Sequence, residues 1–529
     1  MSTRQRITIV GRVAILNDSR VAPVVLDLVD TFRTVTDRHP ERPAIVHNGT
    51  ALTYRQLDAL IRTAAQRLGP RPGAVGVLTS RSPGIVVGLL AVLATGGTYC
   101  PVDPTFPVDR QQAMLAAAGC RTVLAAEPGL PSPPGAPRTD LPGLTDLPDV
   151  PEVWPGQPVG PEDPAYILFT SGSTSAPKPV VTPHRAIEAT TASLRKLFCL
   201  TPADRVLQFA SLNWDTCLEE ILPALTEGAS LVFNDAAYSG SFPRFLRMIA
   251  SEHVTVLDLP TAFWHEFVHH LAHDRVALPD CLRLVVIGGE PASAARLAEW
   301  CALDTARVRL VNTYGCTETT LVTHAVDLHG PLAPDFDAPW SATSRVPIGR
   351  ALPHVIEEVS DEGELLIGGP SLALGYRGLP EATAARFGAQ DGTRRWFRTG
   401  DRVSRCVDGL LVHLGRLDNE VKVRGIRVDP AEVEAQIAGH PAVGAVAVSG
   451  VTVAARTTLV AHVVARTHAD AGALAADVAE YLRARVPAHL VPSRITVVPA
   501  LAYTASGKVD RTRSHQQAVA YHQVIEPMP

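Results

Sequence analysis

Short β-branched runs alternate with helix-patterned stretches, the texture changes near residue 416, and the chain is 529 residues long. Together these predict an α/β protein: a large N-terminal body of mainly parallel sheets packed with helices, then a small C-terminal α+β domain. The body is expected over residues 1–415 and the smaller domain over 416–529. Apolar residues make up 46% and charged residues 19%, as in a globular chain rather than a disordered one. A net charge of −5, with basic residues dispersed rather than clustered, removes the electrostatic footprint of a nucleic-acid binder.

Along the chain, residues 7–16 are apolar but interrupted by Arg12 and lack a small-residue cleavage site, so no signal peptide is expected. The longest apolar stretch, 84–97, falls short of the roughly 20 residues of a membrane helix and reads as a buried helix. Proline is dense between 127 and 164, which predicts an irregular crossing with no regular element. Strands follow at 165–169, 254–259, 282–287 and 308–311, with a helix beginning at Thr182-Pro183 that carries Ile187, Leu194 and Leu197 on one face. Beyond Gly415 come a charged stretch at 418–427, strands at 443–448 and 459–464, a helix at 471–486 and a strand at 495–498. Behind Arg511 remains a tail too short for another folded domain. The eight cysteines include no CxxC pair, which fits a reducing, cytoplasmic compartment.

The run Thr170-Ser171-Gly172-Ser173-Thr174-Ser175-Ala176-Pro177-Lys178 follows an apolar strand and precedes a helix. Such a loop offers backbone N–H and hydroxyl donors to phosphate oxygens, with Lys178 adding positive charge. It lacks the spacing of a Walker A loop. A rival constellation is His265-Glu266-Phe267-Val268-His269, the H-E-x-x-H pattern of zinc peptidases, with Glu290 as the nearest third ligand. The plainer reading is an amphipathic helix whose exposed face carries His265, Glu266, His269, His270 and His273.

An ordered series of motifs carries a resemblance over about residues 50 to 511. It runs through Leu52-Thr53-Tyr54, the stretch from Gly96 to Pro104, the phosphate loop, Asn312-Thr313-Tyr314-Gly315-Cys316-Thr317-Glu318, Gly368-Gly369 and Phe397-Arg398-Thr399-Gly400-Asp401. It continues with Gly415-Arg416-Leu417-Asp418, Val421-Lys422-Val423-Arg424-Gly425 and Ser506-Gly507-Lys508-Val509-Asp510-Arg511. In this order they resemble the adenylation domains of nonribosomal peptide synthetases, within the acyl- and aminoacyl-adenylate-forming superfamily. The resemblance implies ATP and Mg²⁺ as cofactors and a mobile C-terminal lid hinged at Asp418. Lys508 would bridge the substrate carboxylate and the α-phosphate, completing a catalytic set with Lys178 and Thr174. Glu318 would hold Mg²⁺ and Asp401 the ribose hydroxyls. Gly289, Glu290 and Tyr314 would frame the adenine with Pro291, Asn312, Gly315 and Thr317 beside them, and Arg416 would lie near the ribose. Thr170, Ser171, Gly172, Ser173 and Thr174 would cradle the phosphates.

The resemblance also aligns a substrate pocket: Asp215, Thr216, Glu219, Asp258, Val286, Gly288, Thr313, Leu321 and Val322, closed by Lys508. Asp215 would pair with the substrate amine. Unpaired buried charge is costly, so Glu219 and Asp258 imply a cation on the substrate side chain. The set resembles those selecting lysine or β-lysine, with ornithine and arginine-like acids behind. The phosphate loop departs from the family in Ser175 and Pro179, and Cys316 and Ala502 each replace a usual proline. No condensation-domain histidine motif precedes the body and no carrier domain follows Arg511. The expectation is a stand-alone enzyme serving a separate carrier protein in trans, with room for a small helper protein, a different acceptor or an inactive nucleotide-binding homologue. Neither nucleic acid nor membrane is expected as a partner.

Overall fold

The computed structural model describes residues 27–135, 137–141, 155–170, 177–334, 345–389, 394–418, 420–423, 425–453, 456–466, 471–503 and 509–525. Two sheets build the large body. One runs, in spatial order, Gly375–Tyr376, Lys178–Pro183, Pro164–Thr170, Thr98–Val102, Ala74–Leu78, Thr122–Ala125 and Arg138–Asp140. It is parallel from Pro164–Thr170 onward and antiparallel at the end that carries Lys178.

The other sheet has fourteen strands, with Arg205–Leu207, Val256–Pro260, Leu284–Gly288 and Arg309–Tyr314 parallel at its centre. Strands covered on both faces read as unbroken apolar runs, and Leu284, Val285, Val286 and Ile287 are all fully buried. From His324–His329 onward this sheet turns antiparallel through Pro347–Ala351, Leu411–Arg416, Arg395–Arg405, Glu364–Gly368 and Ile356–Val359. The sequence pattern had shown only the parallel half, because hairpin strands with one wet face lack the long apolar runs.

The helix Gly84–Ala94 is buried at every residue in the core that joins the two sheets, as expected of a helix apolar all round. Among the described residues no helix is long and apolar enough to cross a membrane. The small domain sets Val443–Val453, Arg456–Ala465 and Arg494–Val497 against helices Pro430–Ala438 and Ala471–Arg483, around Val433, Ile437, Val448, Leu459, Val478 and Leu482. Asp429 caps the first of these helices by accepting from the Ala431 N–H at 2.9 Å, with Pro430 at the first helical position.

Two local expectations are corrected. The proline-rich crossing contains a strand, Arg138–Asp140, because its backbone completes the parallel edge beside Thr122–Ala125. The helix expected from Thr182 begins at His184, since Thr182 and Pro183 still belong to the preceding strand. The tail behind Arg511 is a helix, Arg511–Ile525, docked on the small domain through Ala518 and Ser514. Its sparse apolar residues gave no periodic signal. The stretch 7–16 lies outside the described residues.

Candidate active site

The helix Thr216–Glu227 places two carboxylates with opposite tasks on adjacent positions. Glu220 is fully used: it accepts from the Phe209 and Ala210 N–H groups, both at 2.9 Å, and from Gln208 Nε2 at 3.0 Å. It thereby fixes the turn 208–210. Glu219 instead faces a cavity of about 220 Å³, which Asp215, Thr216, Asp258, Gly288, Thr313, Gly315, Leu321 and Val322 also line. Burial pushes the Glu219 carboxyl well up, reinforced by the neighbouring charges of Asp258, Asp215 and Glu220. Burial likewise raises Asp258 to about 7 and raises Asp215 against the opposing hydrogen bond of the Thr317 hydroxyl. Asp258 Oδ2 is buried without a partner. Among the described residues no Lys or Arg side chain pairs with Glu219 or Asp258.

Val286 sits one layer behind the cavity wall. It lies beside Asp258 in register, fully buried in the main core with the cavity-lining Leu321 and Val322. Gly288 keeps the wall open, because a Cβ there would sit 2.5 Å from Thr313 Oγ1, which donates to the Ile287 carbonyl at 3.0 Å. Gly315 is equally constrained, its Cβ falling 1.7 Å from the Leu321 carbonyl oxygen. Thr320 and Leu321 both hold positive φ, +61° and +63°, a strained pair at the cavity wall.

A larger cavity of about 580 Å³ opens beside this one, lined by Gly289, Glu290, Pro291, Asn312, Tyr314, Asp401 and Arg416. Asp401 accepts from the Tyr314 hydroxyl at 2.6 Å, His413 Nε2 at 2.9 Å and the Arg416 guanidinium at 3.1 Å. Burial alone would raise its carboxyl, but the His413 hydrogen bond and the charges of Arg416 and Lys422 outweigh it and hold Asp401 far down. Asn312 Nδ2 donates to the Pro347 carbonyl at 2.7 Å, leaving Oδ1 buried and unpartnered. The strand Arg309–Tyr314 divides its side chains by pleat: Asn312 and Tyr314 serve this cavity while Thr313 also reaches the acidic one.

The small domain closes over both cavities. Lys422 lines each of them and stands 5.6 Å above the Tyr314 ring centroid. The Gly425 N–H donates to Glu290 Oε1, and a Cβ on Gly289 would approach Gly425 Cα to 3.3 Å. Arg427 reaches Glu318 through two nitrogens at 2.6 and 3.3 Å, and the Tyr376 hydroxyl donates to the same carboxylate at 2.8 Å. Burial pushes Glu318 up, yet the Arg427 charge and these donors bring it below its usual value. Asp418 is bound by Arg416 and Arg386, at 2.6 and 2.9 Å. Sequence reasoning missed His413, Lys422 and Arg427 as site residues. Their signal was the charged stretch after Gly415, but their partners sit more than a hundred positions upstream or on another strand.

Thr170 ends its strand at the acidic cavity with a buried, unpartnered Oγ1, and Lys178 sits 5.6 Å from the Tyr376 ring. Ser171, Gly172, Ser173, Thr174, Ser175 and Lys508 lie outside the described residues. Pro179 occupies the antiparallel strand opposite Phe169, and Cys316 lines the acidic cavity with its thiol raised to about 12 by burial.

The zinc-peptidase pattern dissolves. His265 is buried rather than exposed, and its Nε2 accepts from the Ser293 N–H at 2.9 Å, with burial lowering its pKa to about 4. His269 is exposed and contacts Arg296, and Glu290 turns to Gly425. The histidine and carboxylates that do converge among the described residues are Asp27, His184 and Glu188, elsewhere in the body.

Residues 32–377 match the AMP-binding enzyme family and 432–508 the AMP-binding enzyme C-terminal domain. The chain belongs to the AMP-binding enzymes. It is 40% identical over 496 residues to the isonitrile lipopeptide synthase of Streptomyces coeruleorubidus, covering 90% of this chain but only 32% of that relative. The chain thus spans about a third of that relative's length. Among solved structures it resembles NpsA-ThdA, an artificially fused adenylation–PCP di-domain of a nonribosomal peptide synthetase from Klebsiella oxytoca, with TM-score 0.77 and 26% identity over 89% of this chain and 86% of that one. It also resembles the amide bond synthetase McbA from Marinactinospora thermotolerans, with TM-score 0.78 and 26% identity over 94% of this chain and 100% of that one.

Proposed function

We propose that this AMP-binding enzyme activates a basic amino acid, lysine or β-lysine first, as its aminoacyl adenylate. The acyl group then passes to the phosphopantetheine thiol of a separate carrier protein, in the cytoplasm, for a nonribosomal peptide or peptide-like antibiotic. The observation that carries the substrate class is the trio Asp215, Glu219 and Asp258 around one cavity, with an unpartnered oxygen on Asp258 and, among the described residues, no protein cation paired to Glu219 or Asp258. A substrate bearing two amines complements it: one at Asp215, the other, at the end of a long side chain, at Glu219 and Asp258.

In the first half-reaction a substrate carboxylate oxygen forms a bond to the α-phosphorus of ATP, the bond to the bridging oxygen breaks, and pyrophosphate leaves. The nucleophile is already ionised, so no general base is needed. At 4 Å the repulsion between two unit anions is about 4 kcal/mol at an effective dielectric near 20. Relief of that repulsion is the task we assign to Lys508 and Lys178, with Thr170 and the loop through Thr174 donating to phosphate oxygens. Asp401, kept ionised, is suited to accept from a ribose diol, and Asn312 Oδ1 from the adenine amine. Glu318 offers an ionised hard-oxygen donor that fits Mg²⁺, whose chemistry would be to neutralise phosphate charge.

For the second half-reaction we divide the chain at 415/416 and treat Asp418 as the hinge of the smaller domain. The ribbon Val421–Val423/Ile426–Val428, which lines both cavities, supports reading the described arrangement as the transfer orientation. Similarity to an amide bond synthetase favours one second reading, in which an amine rather than a thiol accepts the acyl group.

Pyrophosphate exchange on lysine, β-lysine, ornithine, arginine, leucine and glutamate tests the substrate. A lysine isomer should lead, and Glu219→Gln and Asp258→Asn should each weaken its apparent affinity by about tenfold or more, the scale of a lost charge-assisted contact. Preference for leucine or glutamate, or indifference to both replacements, refutes the pocket reading.

A further inference from the structure

The helix His184–Leu197 begins where the strand from Lys178 ends, and its first residue carries a side chain that the two cavities do not use. His184 is 1% exposed, and among the described residues neither of its ring nitrogens has a hydrogen-bond partner. Burying an imidazole in that state is costly unless something else binds it. One turn further on, the i, i+4 spacing brings Glu188 onto the same face, 7% exposed, with Oε1 3.6 Å from His184 Nδ1. Asp27 comes in from the start of the helix Leu28–Arg38, where its Oδ1 accepts from the Val29 N–H at 2.7 Å. One ligand atom from each of the three lies within 4.8 Å of the other two. Burial raises both carboxyls, and a single imidazole, whatever its protonation, cannot balance two negative charges.

We propose that Asp27, His184 and Glu188 bind a divalent transition-metal ion, zinc. The donor set decides the class. Magnesium and calcium take oxygen ligands, whereas a buried imidazole beside two carboxylates suits zinc, whose nitrogen and oxygen ligands stand about 2.0–2.2 Å from the metal. A tetrahedral set of that radius spaces its donors about 3.4 Å apart. Three donors already within 4.8 Å of one another need only a small contraction to reach it. The two carboxylates neutralise the ion, the imidazole gains the partner that the protein does not give it, and the fourth position is left to water. The site is separate from Glu318 and from both cavities, so its effect is on the frame. The ion pins the start of the helix Leu28–Arg38 to the helix that continues the Lys178 strand.

The test reads metal affinity and stability, not turnover. The full chain is stripped with a chelator and titrated with Zn²⁺ in the absence of nucleotide, binding being followed by titration calorimetry and unfolding by scanning calorimetry. One equivalent should bind and raise Tm. Asp27→Asn and Glu188→Gln keep the shape of each side chain, and the asparagine keeps the helix cap. Each should weaken Zn²⁺ binding by at least about tenfold, the smallest effect expected even of a group behind a ligand, and should abolish the rise in Tm. Pyrophosphate exchange, whose groups lie elsewhere, should be retained. Should both variants fail to fold, X-ray absorption at the zinc edge of the wild type decides, one imidazole among the ligands being the expected count. No imidazole would put the ion among Asp215, Glu219 and Asp258. Two would put it on the exposed helix face with His269 and His273, whose ring centroids are 6.0 Å apart. Either count overturns the site, as does a wild type that binds no Zn²⁺ or an affinity unchanged in either variant.

Discussion

At the scale of single residues, the acidic cavity makes opposite demands on the empty and the occupied protein. Asp258 titrates near 7 because burial disfavours its charge. A cationic side chain binds the ionised form, so below pH 7 a proton must leave first. Glu219 is held up further by burial and by the Asp258 charge, so the apparent KM for lysine should fall with rising pH through 7 and go on falling above it as both protons are lost. Asp258→Asn should flatten the profile. Stability of the empty protein runs the other way. A carboxyl raised from 3.8 to about 7 binds its proton more tightly folded than unfolded, so its contribution declines as pH climbs through that window. Thermal unfolding with and without lysine should diverge most above pH 7. How much of this was legible in sequence is visible in Glu219 and Glu220: the aligned motif singled out the first, but nothing separated it from its neighbour. Their division into a pocket group and a turn clamp depends on which loop each meets. Val286 shows the same limit: alignment gives its position, while its packing in one cluster with Leu321 and Val322 depends on the fold.

Among elements, the connection 416–421 concentrates charge where the chain leaves the large sheet for the ribbon. Arg416 binds Asp401, Asp418 and Glu420, while Arg386 holds Asp418 from the helix Pro380–Arg386. If Asp418 is the pivot, Asp418→Pro should separate the half-reactions, because proline fixes φ near −65° and denies the rotation. The expected outcome is a loss of about tenfold or more in either pyrophosphate exchange or carrier loading, with the other retained. Asp418→Ala, which keeps backbone freedom, should impair both only mildly. Equal survival of both half-reactions in the proline variant would remove Asp418 from this role. The strands at 165–169, 254–259, 282–287 and 308–311 could be read beforehand because parallel central strands are apolar on both faces. The antiparallel run from His324 to Arg416 and the terminal helix could not, their apolar residues being spaced by contacts with distant partners.

For the molecule as a whole, docking of the smaller domain relies on few but buried contacts. Glu432, with no side-chain exposure, takes Arg110 of the large body at 3.0 Å. His489, kept neutral by burial, which lowers its pKa to about 4, meets Trp214 edge-on with ring centroids 5.5 Å apart. Removing one partner of a buried ion pair costs about 3–5 kcal/mol if the geometry persists, which exceeds what most domain rearrangements cost. Arg110→Ala should consequently shift the smaller domain outward. Small-angle scattering should give a larger radius of gyration, with carrier loading slowed and pyrophosphate exchange retained. An unchanged radius would show that the arrangement does not depend on this pair. A large body followed by a small C-terminal domain was readable from the change in texture along the chain, whereas the Arg110–Glu432 pair that joins them spans 322 positions and left no local trace.

The strand Arg309–Tyr314 has a bearing on how such an enzyme can change its diet. Because Asn312 and Tyr314 alternate with Thr313 along one extended backbone, the groups that line only the larger cavity and the one that also lines the acidic cavity are neighbours in the chain. A mutation at Thr313 redraws the pocket while leaving the side chains on either side in place. Selectivity can thus drift by single codons under a conserved energy source, and a lineage can explore new building blocks without passing through an ancestor unable to use ATP.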